Sequence, residues 1–503
     1  MQRGRLTCIA ATVLALAACG TGDDPDSPDA RTALTVDKAG DDGGEGTLRW
    51  AILKSNADPG KYDIVLAAPA AGGLVIKPAS QLPSIVGPVR IQGPWTGSGT
   101  PTVAVDGSAL LDLTLPAACP GQAAGSFGPN ARSLHNAGLQ VVDSRDVEIT
   151  GFEVRNFCTG IMTLRSHGNR IHRMRLVANR GAAGVLITGD DGTAAGGSAG
   201  NSTGNVIEHN VFLNNSDAVD IARGSNGTIV RSNTFTIDAT GIPSSGIQVI
   251  SSNDAVIEDN TITGYATALQ LAGNGHVSSR NTLAGNAIAI EMGGSGYKLT
   301  GNVVRDNRTG VLQVSGGTDK LNALSRNLIH DNGKEISACG PLNGIDTVPD
   351  SGVCQEKEWQ RSRINFSLNG FLPPIANDGA AQCADGFPDC KLPQNHPVLA
   401  NSAFQDPAFV VRGSLNSRPN QKFSIEFFAS PSDGIDGLGE GKVYLGQLEV
   451  GTDASGDAGF SFPTGTGNPL KDGSRRVHFT ATATRLSNGA TSEFSRPQLV
   501  VRP

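Results

Sequence analysis

Acidic and basic side chains return along this chain at intervals that would bring them into line if the chain stacked on itself. Glu208, Arg231 and Glu258 each stand two residues before a recurring asparagine. Repeats piled about 4.8 Å apart would set the three in one column. A lyase acting on a uronic-acid polymer needs a cation to neutralise the sugar carboxylate and a base to take the C5 proton, and such a column holds both. The plainer reading is a solvated face that alternates sign because stacked like charges repel.

A second column consists of Asp220, Gln248 and Gln270, at matching places in three apolar-polar runs around 218–221, 246–249 and 268–271. One carboxylate and two amides at repeat spacing suit the successive hydroxyls of a glycan. An ordinary polar outer face would carry the same residues. The paired aspartates Asp190 and Asp191, with Asp217 near Asp220, resemble the acidic elements of polygalacturonase-type hydrolases. Inverting hydrolysis requires carboxyl groups about 6.5–9.5 Å apart. However, His167-Gly168 precedes these aspartates and no Arg-Ile-Lys follows them, so a Gly-Asp turn explains them better. His209, His276 and Lys298 are isolated acid–base candidates expected at the surface. Tyr265 and Tyr297 are the aromatic residues best placed to stack on a sugar. No cysteine–histidine spacing suggests zinc; no metal site or cofactor is implied, and calcium is not indicated.

The elements that must position these columns are legible in a repeat. Asparagine returns at 210, 233, 260, 281, 302 and 327, at separations of 23, 27, 21, 21 and 25 residues. A second series runs through Asn179, Asn215, Asn286, Asn307 and Asn332. Between the asparagines, apolar residues alternate two apart, which is the rhythm of strands and too short a period for paired helices. The pattern predicts an all-β chain: a right-handed parallel β-helix solenoid in which asparagines hydrogen-bond along the axis. Nine to twelve rungs would make a rod about 45–60 Å long. From about residue 396 the strands lengthen and the turns become Asp/Gly-rich, which predicts a small immunoglobulin-like β-sandwich.

Composition agrees. Among 503 residues are 65 glycines, aromatics make up only 5%, and the net charge is −7. Such a surface argues against nucleic acid as partner. The first 18 residues read as a signal peptide, with Arg3 and Arg5 before an apolar core too short to span a bilayer. Leu16-Ala17-Ala18-Cys19 resembles a bacterial lipobox, which would make Cys19 the acylated anchor of an envelope lipoprotein, at the outer membrane or cell surface. Residues 19–33 form an acidic tether, 34–336 the β-helix with a helical N-terminal cap beginning at Thr47, 337–395 an irregular C-terminal cap, and 396–503 the sandwich. Six further cysteines, Cys119, Cys158, Cys339, Cys354, Cys383 and Cys390, read as disulfides outside the cytosol. Neighbour pairing, 119–158, 339–354 and 383–390, is the simplest of fifteen schemes.

The segment Thr47-Leu48-Arg49-Trp50-Ala51-Ile52 through Asn56 is similar to the start of CSLREA-type bacterial surface proteins. The likeness continues at residues 81–85, 105–108, 394–399, 424–430 and 492–495, although the motif's own cysteine is absent. This resemblance implies a pectate-lyase-like right-handed β-helix at the cell surface and no defined activity. The expected function is therefore polysaccharide binding by a membrane-anchored surface protein, with a lyase, less readily a hydrolase or epimerase, or a structural spacer as the alternatives.

Overall fold

The computed structural model describes residues 31–70, 72–111, 119, 137–190, 200–238, 244–313, 321–333, 364–365, 377, 394–434 and 437–503. The chain winds into a parallel β-solenoid whose three sheets hold eleven, ten and nine strands. One rung consists of Val206–Glu208 in the first sheet, Val211–Leu213 in the second and Asp217–Ala222 in the third. The next rung lies on it in register, with Val230 beside Ile207, Phe235 beside Phe212 and Ile247 beside Val219. Alternation sends these residues inward, where all six are fully buried. The Phe212 and Phe235 rings stack at 4.7 Å.

The corner between first and second sheets shows why asparagine recurs. Its first residue adopts a left-handed conformation, as at His209 (φ 55°), Ser232 (55°), Asp259 (57°) and Arg280 (54°). That conformation costs a side-chain-bearing residue about 1 kcal/mol. The asparagine that follows offsets the cost by turning its amide into the core. Asn210 donates from Nδ2 to Asn233 Oδ1 (3.0 Å) and to the Ile171 carbonyl (3.0 Å), while its backbone N–H reaches the same Asn233 oxygen (2.9 Å). The ladder continues through Asn260, Asn281, Asn302 and Asn327 with Nδ2–Oδ1 distances of 3.0, 3.0, 3.0 and 2.9 Å. The second series also forms, from Asn179 to Asn215 (2.9 Å) and from Asn286 through Asn307 to Asn332 (3.1 and 3.0 Å). A third stack at the remaining corner uses Ser166, Ser202, Asn169 and Asn205, and its shorter run had no clear repeat in the sequence.

Both ends of the solenoid are closed. The helix Leu48–Ala57 begins at Thr47, whose Oγ1 accepts the Trp50 N–H at 3.3 Å, and it buries Leu48, Ala51 and Ile52 in the solenoid core. At the other end stands a small β-sandwich. One of its sheets pairs Ala408–Asn416 with Asp457–Thr466, and the other sets Lys422–Ser430 between Val443–Gly451 and Arg476–Arg485, all antiparallel. Phe428 and Phe494 of the sandwich join the solenoid core. Glu426 accepts from Ser325 Oγ (2.6 Å) and the Arg326 N–H (2.8 Å), and Ile329 exchanges backbone hydrogen bonds with Gly441 (2.9 and 2.8 Å). The sandwich thus covers the last strands of the first and second sheets. Residues 337–395, expected as the cap, lie outside the described residues except for 377, 394–395 and the short strand Ile364–Asn365, which pairs with Val311–Leu312. Cys119 and Cys158 form the expected disulfide. Cys19, Cys339, Cys354, Cys383 and Cys390 fall outside the described residues.

Asn260→Leu removes both ladder bonds, takes the side-chain donor from the Val230 carbonyl and strands the buried Asn233 N–H. The variant should lose about 3 kcal/mol or more in urea unfolding; an unchanged midpoint would show that the ladder contributes little. Burial raises the Glu426 carboxyl above its usual 4.5, against the pull of the Arg326 N–H and Ser325 hydroxyl. The folded state therefore binds the extra proton, and this group's contribution falls as pH rises from 4.5 through the raised value. The stability difference between Glu426→Gln and wild type should shift in the variant's favour over that window, and a pH-independent difference would refute the assignment.

Candidate functional site

The first sheet places Glu208, Arg231 and Glu258 on neighbouring strands, directly beside one another. Arg231 Nε donates to Glu208 Oε2 at 2.6 Å, and Arg170 Nε donates to Oε1 at 2.6 Å. Burial pushes the Glu208 carboxyl up, but the two guanidinium groups win and hold it below the usual carboxylate range. Glu258 in turn accepts from Arg280 Nη2 at 2.9 Å. A base whose two oxygens are both engaged must displace a guanidinium before it takes a proton. The column has the geometry of a salt-bridge ladder. Towards the N-terminus the column continues to His172, whose Nε2 meets Glu148 of the neighbouring column at 2.8 Å, and Arg90 Nε donates to the same carboxylate at 2.8 Å. Burial keeps the His172 imidazole below its usual range despite the neighbouring Glu148.

The third sheet has a different outer face. Asp220 lies beside Gln248, Gln248 beside Gln270 and Gln270 beside Glu291. On the N-terminal side the same column continues through Leu186 and Met162. With Ala137, Leu164, Ala183 and Ala222 these form an apolar cluster outside the solenoid core. Asp220 therefore stands where the face changes from apolar to polar, and it is only 5% exposed. Gln270 Oε1 accepts from Gln248 Nε2 (2.6 Å) and from Ser245 Oγ (3.0 Å). Those two donors orient the Gln270 amide and turn its NH₂ away from them. Asp217, at the start of the Asp220 strand, accepts from Ser244 Oγ (2.7 Å) and the Ser245 N–H (2.8 Å). Glu291 could have been found by carrying the column one repeat further; Ser245 belongs to an adjacent column that carries no repeat signal.

Several expectations change. Tyr265 and Tyr297 are not sugar platforms, because both are buried in the core. Tyr297 donates to the carbonyls of Leu271 (3.0 Å) and Gly273 (2.9 Å). Tyr265 occupies a place in the second asparagine series, its N–H on Asn286 Oδ1 at 3.0 Å, so the corner turns its ring inward. Its hydroxyl has no hydrogen-bond partner among the described residues, and burial together with the Asp217 charge pushes the phenol far above its usual range. His276 is likewise buried rather than at the surface, held by the Ala255 N–H (3.1 Å) and the Ala272 carbonyl (3.2 Å). His209 and Lys298 are exposed as expected. Asp190 is buried against Arg223 Nη1 (3.1 Å), and Asp191 lies outside the described residues.

With this geometry in place, known proteins can be set beside it. Over 504 aligned residues the chain is 30% identical to the 3-dehydroshikimate dehydratase of Acinetobacter baylyi, covering 93% of this chain and 94% of that one. The chain belongs to that dehydratase's family. Residues 125–340 also match the model of the periplasmic copper-binding protein NosD. Among the described residues no group of three His, Cys, Asp or Glu side chains converges. Solved structures similar to the chain include the surface adhesin PfbA of Streptococcus pneumoniae, at 12% identity and TM-score 0.35, covering 60% of this chain and 84% of that one. The A-module of the mannuronan C-5 epimerase AlgE6 of Azotobacter vinelandii is 12% identical with TM-score 0.38, covering 59% and 86%. Pectate lyase Pel9A is 14% identical with TM-score 0.30, covering 71% and 95%.

Tyr265→Phe removes a buried hydroxyl that makes no hydrogen bond, so stability should stay level or rise by up to about 1 kcal/mol. A thermal unfolding midpoint lowered by more than about 1 kcal/mol equivalent would mean that the hydroxyl is bonded in solution.

Proposed function

We propose that this protein is an exported dehydratase acting on a carboxylated, hydroxylated cyclohexenone of the 3-dehydroshikimate kind, and that its site is the outer face of the third sheet around Asp220. The full-length likeness to the Acinetobacter dehydratase carries this reading. Dehydration of such a ring breaks a C–H bond next to the ketone, passes electron density to the carbonyl oxygen, and expels the hydroxyl one carbon further on as water. Three things are required: a base at the proton, hydrogen-bond donors at the oxygen, and a wall that excludes solvent.

The third-sheet face offers each. Asp220 is a buried carboxylate and the base of choice. The oriented NH₂ of Gln270 supplies donors for the carbonyl oxygen, and Gln248 holds it in place. Leu186, Met162 and Ala222, all fully buried, form an apolar layer beside Asp220 that keeps solvent from it. Removal of water from a ring carbon also matches the face better than glycosidic hydrolysis does. Asp220 and Glu291, three rungs apart, are separated by about 14 Å of sheet, well beyond the 6.5–9.5 Å of an inverting pair.

A second reading, binding of a uronic polysaccharide along the same column, rests on the two glutamine amides at successive rungs. In either case we propose that the protein sits in the cell envelope, held by acyl chains on Cys19, a reading supported by the likeness of Leu16-Ala17-Ala18-Cys19 to a lipobox.

The test is one preparation of wild type and Asp220→Asn, each given 3-dehydroshikimate and, separately, alginate and pectate. Wild type should release a dihydroxybenzoate detected by its ultraviolet absorbance, and Asp220→Asn should lose at least about 100-fold in rate with an unchanged unfolding midpoint. Absence of aromatic product from wild type would sink the dehydratase reading, and saturable binding of alginate or pectate would then favour the second. Cys19→Ala should release the protein from the membrane fraction; retention there would exclude the anchor.

A further inference from the structure

Where the chain leaves the third sheet for the first, in the earliest complete rungs, a groove of about 660 Å³ opens against the N-terminal segments. One wall is apolar: Pro59, Val86 and Pro88, with Val86 47% exposed. This wall is tightly built, since a Cβ on Gly87 would sit 2.5 Å from Pro59 Cβ. The other wall is polar and comes from the corner residues Ser144, Arg145, Asp146 and His167.

Three features of that wall point to a ligand. Ser144 heads the serine stack. Its followers spend their hydroxyls on carbonyls of the stack, Ser166 on Leu164 (2.8 Å) and Ser202 on Ser166 (2.8 Å). Ser144 is 6% exposed, yet its hydroxyl has no partner among the described residues. A buried donor left unspent costs about 1–3 kcal/mol, and an acceptor supplied from the groove would recover it. The His167 Nδ1 accepts the Thr203 N–H at 3.2 Å, which leaves the ring proton on Nε2 as a further donor. Finally, the charges are balanced. Arg165 grips Asp143 through two bonds (2.6 and 2.9 Å), and Arg145 Nε donates to Asp146 Oδ2 (3.0 Å).

The balance selects the chemistry. An anion would have to face two carboxylates, and a cation two guanidinium groups. A neutral ring bearing several hydroxyls meets both kinds of group at once, because each hydroxyl donates to a carboxylate and accepts from a guanidinium, an imidazole N–H or Ser144. Its C–H face would lie on the proline and valine wall. We propose that this groove binds a neutral saccharide, one or two sugar residues long, at a place distinct from the third-sheet face. The volume lies within the range of small-ligand sites.

The experiment titrates the full-length protein in detergent micelles with cellotriose, maltotriose and laminaritriose, and with trigalacturonate as the charged control, by calorimetry. At least one neutral trisaccharide should bind with Kd of about 1 mM or tighter. His167→Ala and Ser144→Ala should each weaken it, together at least about tenfold, while Ser144→Ala leaves the unfolding midpoint level or higher. Turnover of 3-dehydroshikimate, read in the same variants, should be unchanged, so failure here and failure of the dehydratase reading are separate results. Binding of no neutral trisaccharide, preference for trigalacturonate, or undiminished affinity in the double variant would each overturn the proposal.

Discussion

The rod depends above all on one arrangement: a side-chain amide inside the corner between the first and second sheets that bonds both the backbone and the side chain of the rung next to it. A tight solenoid must turn its chain every few residues, and each turn drives peptide groups towards a core with no water. Asparagine answers this locally, because its oxygen accepts from the backbone N–H of the neighbouring rung while its nitrogen donates to a carbonyl and to the next asparagine. Each rung is therefore satisfied by the two rungs that flank it. Cooperativity along the axis follows, together with the need to close both ends.

The ends are closed by different means for the same reason. An open rung presents unpaired strand edges and an uncovered core, which invites end-to-end association. At the start a short helix places three apolar residues over the first rungs. At the finish a separate β-sandwich lends Phe428 and Phe494 to the core and meets the last strands with Glu426, Gly441 and Thr491. The sandwich is thereby part of the solenoid's stability as well as a domain with its own core.

Between the ends, the faces divide the labour. The first sheet spends its charges on one another, so Glu148 and Glu208 are held ionised and engaged. The third sheet buries a carboxylate at the border of an apolar patch and orients amides beside it. An engaged charge favours stability; a buried acid next to oriented donors is the arrangement that chemistry needs.

The sequence by itself determined the strand rhythm, the asparagine ladders, the register that lines up Asp220 with Gln248 and Gln270, the end helix and the sandwich strands, because all of these are periodic or local and each repeat reports the same physics. Only the tertiary structure decided which way non-repeating residues point. Tyr265 and Tyr297 read as surface aromatics but turn into the core at corners, His276 fills a ladder place, and the arginines that neutralise Glu208 come from rungs on both sides. Burial at a corner is set by the neighbouring rungs, and those neighbours lie 21 or more residues away in the chain.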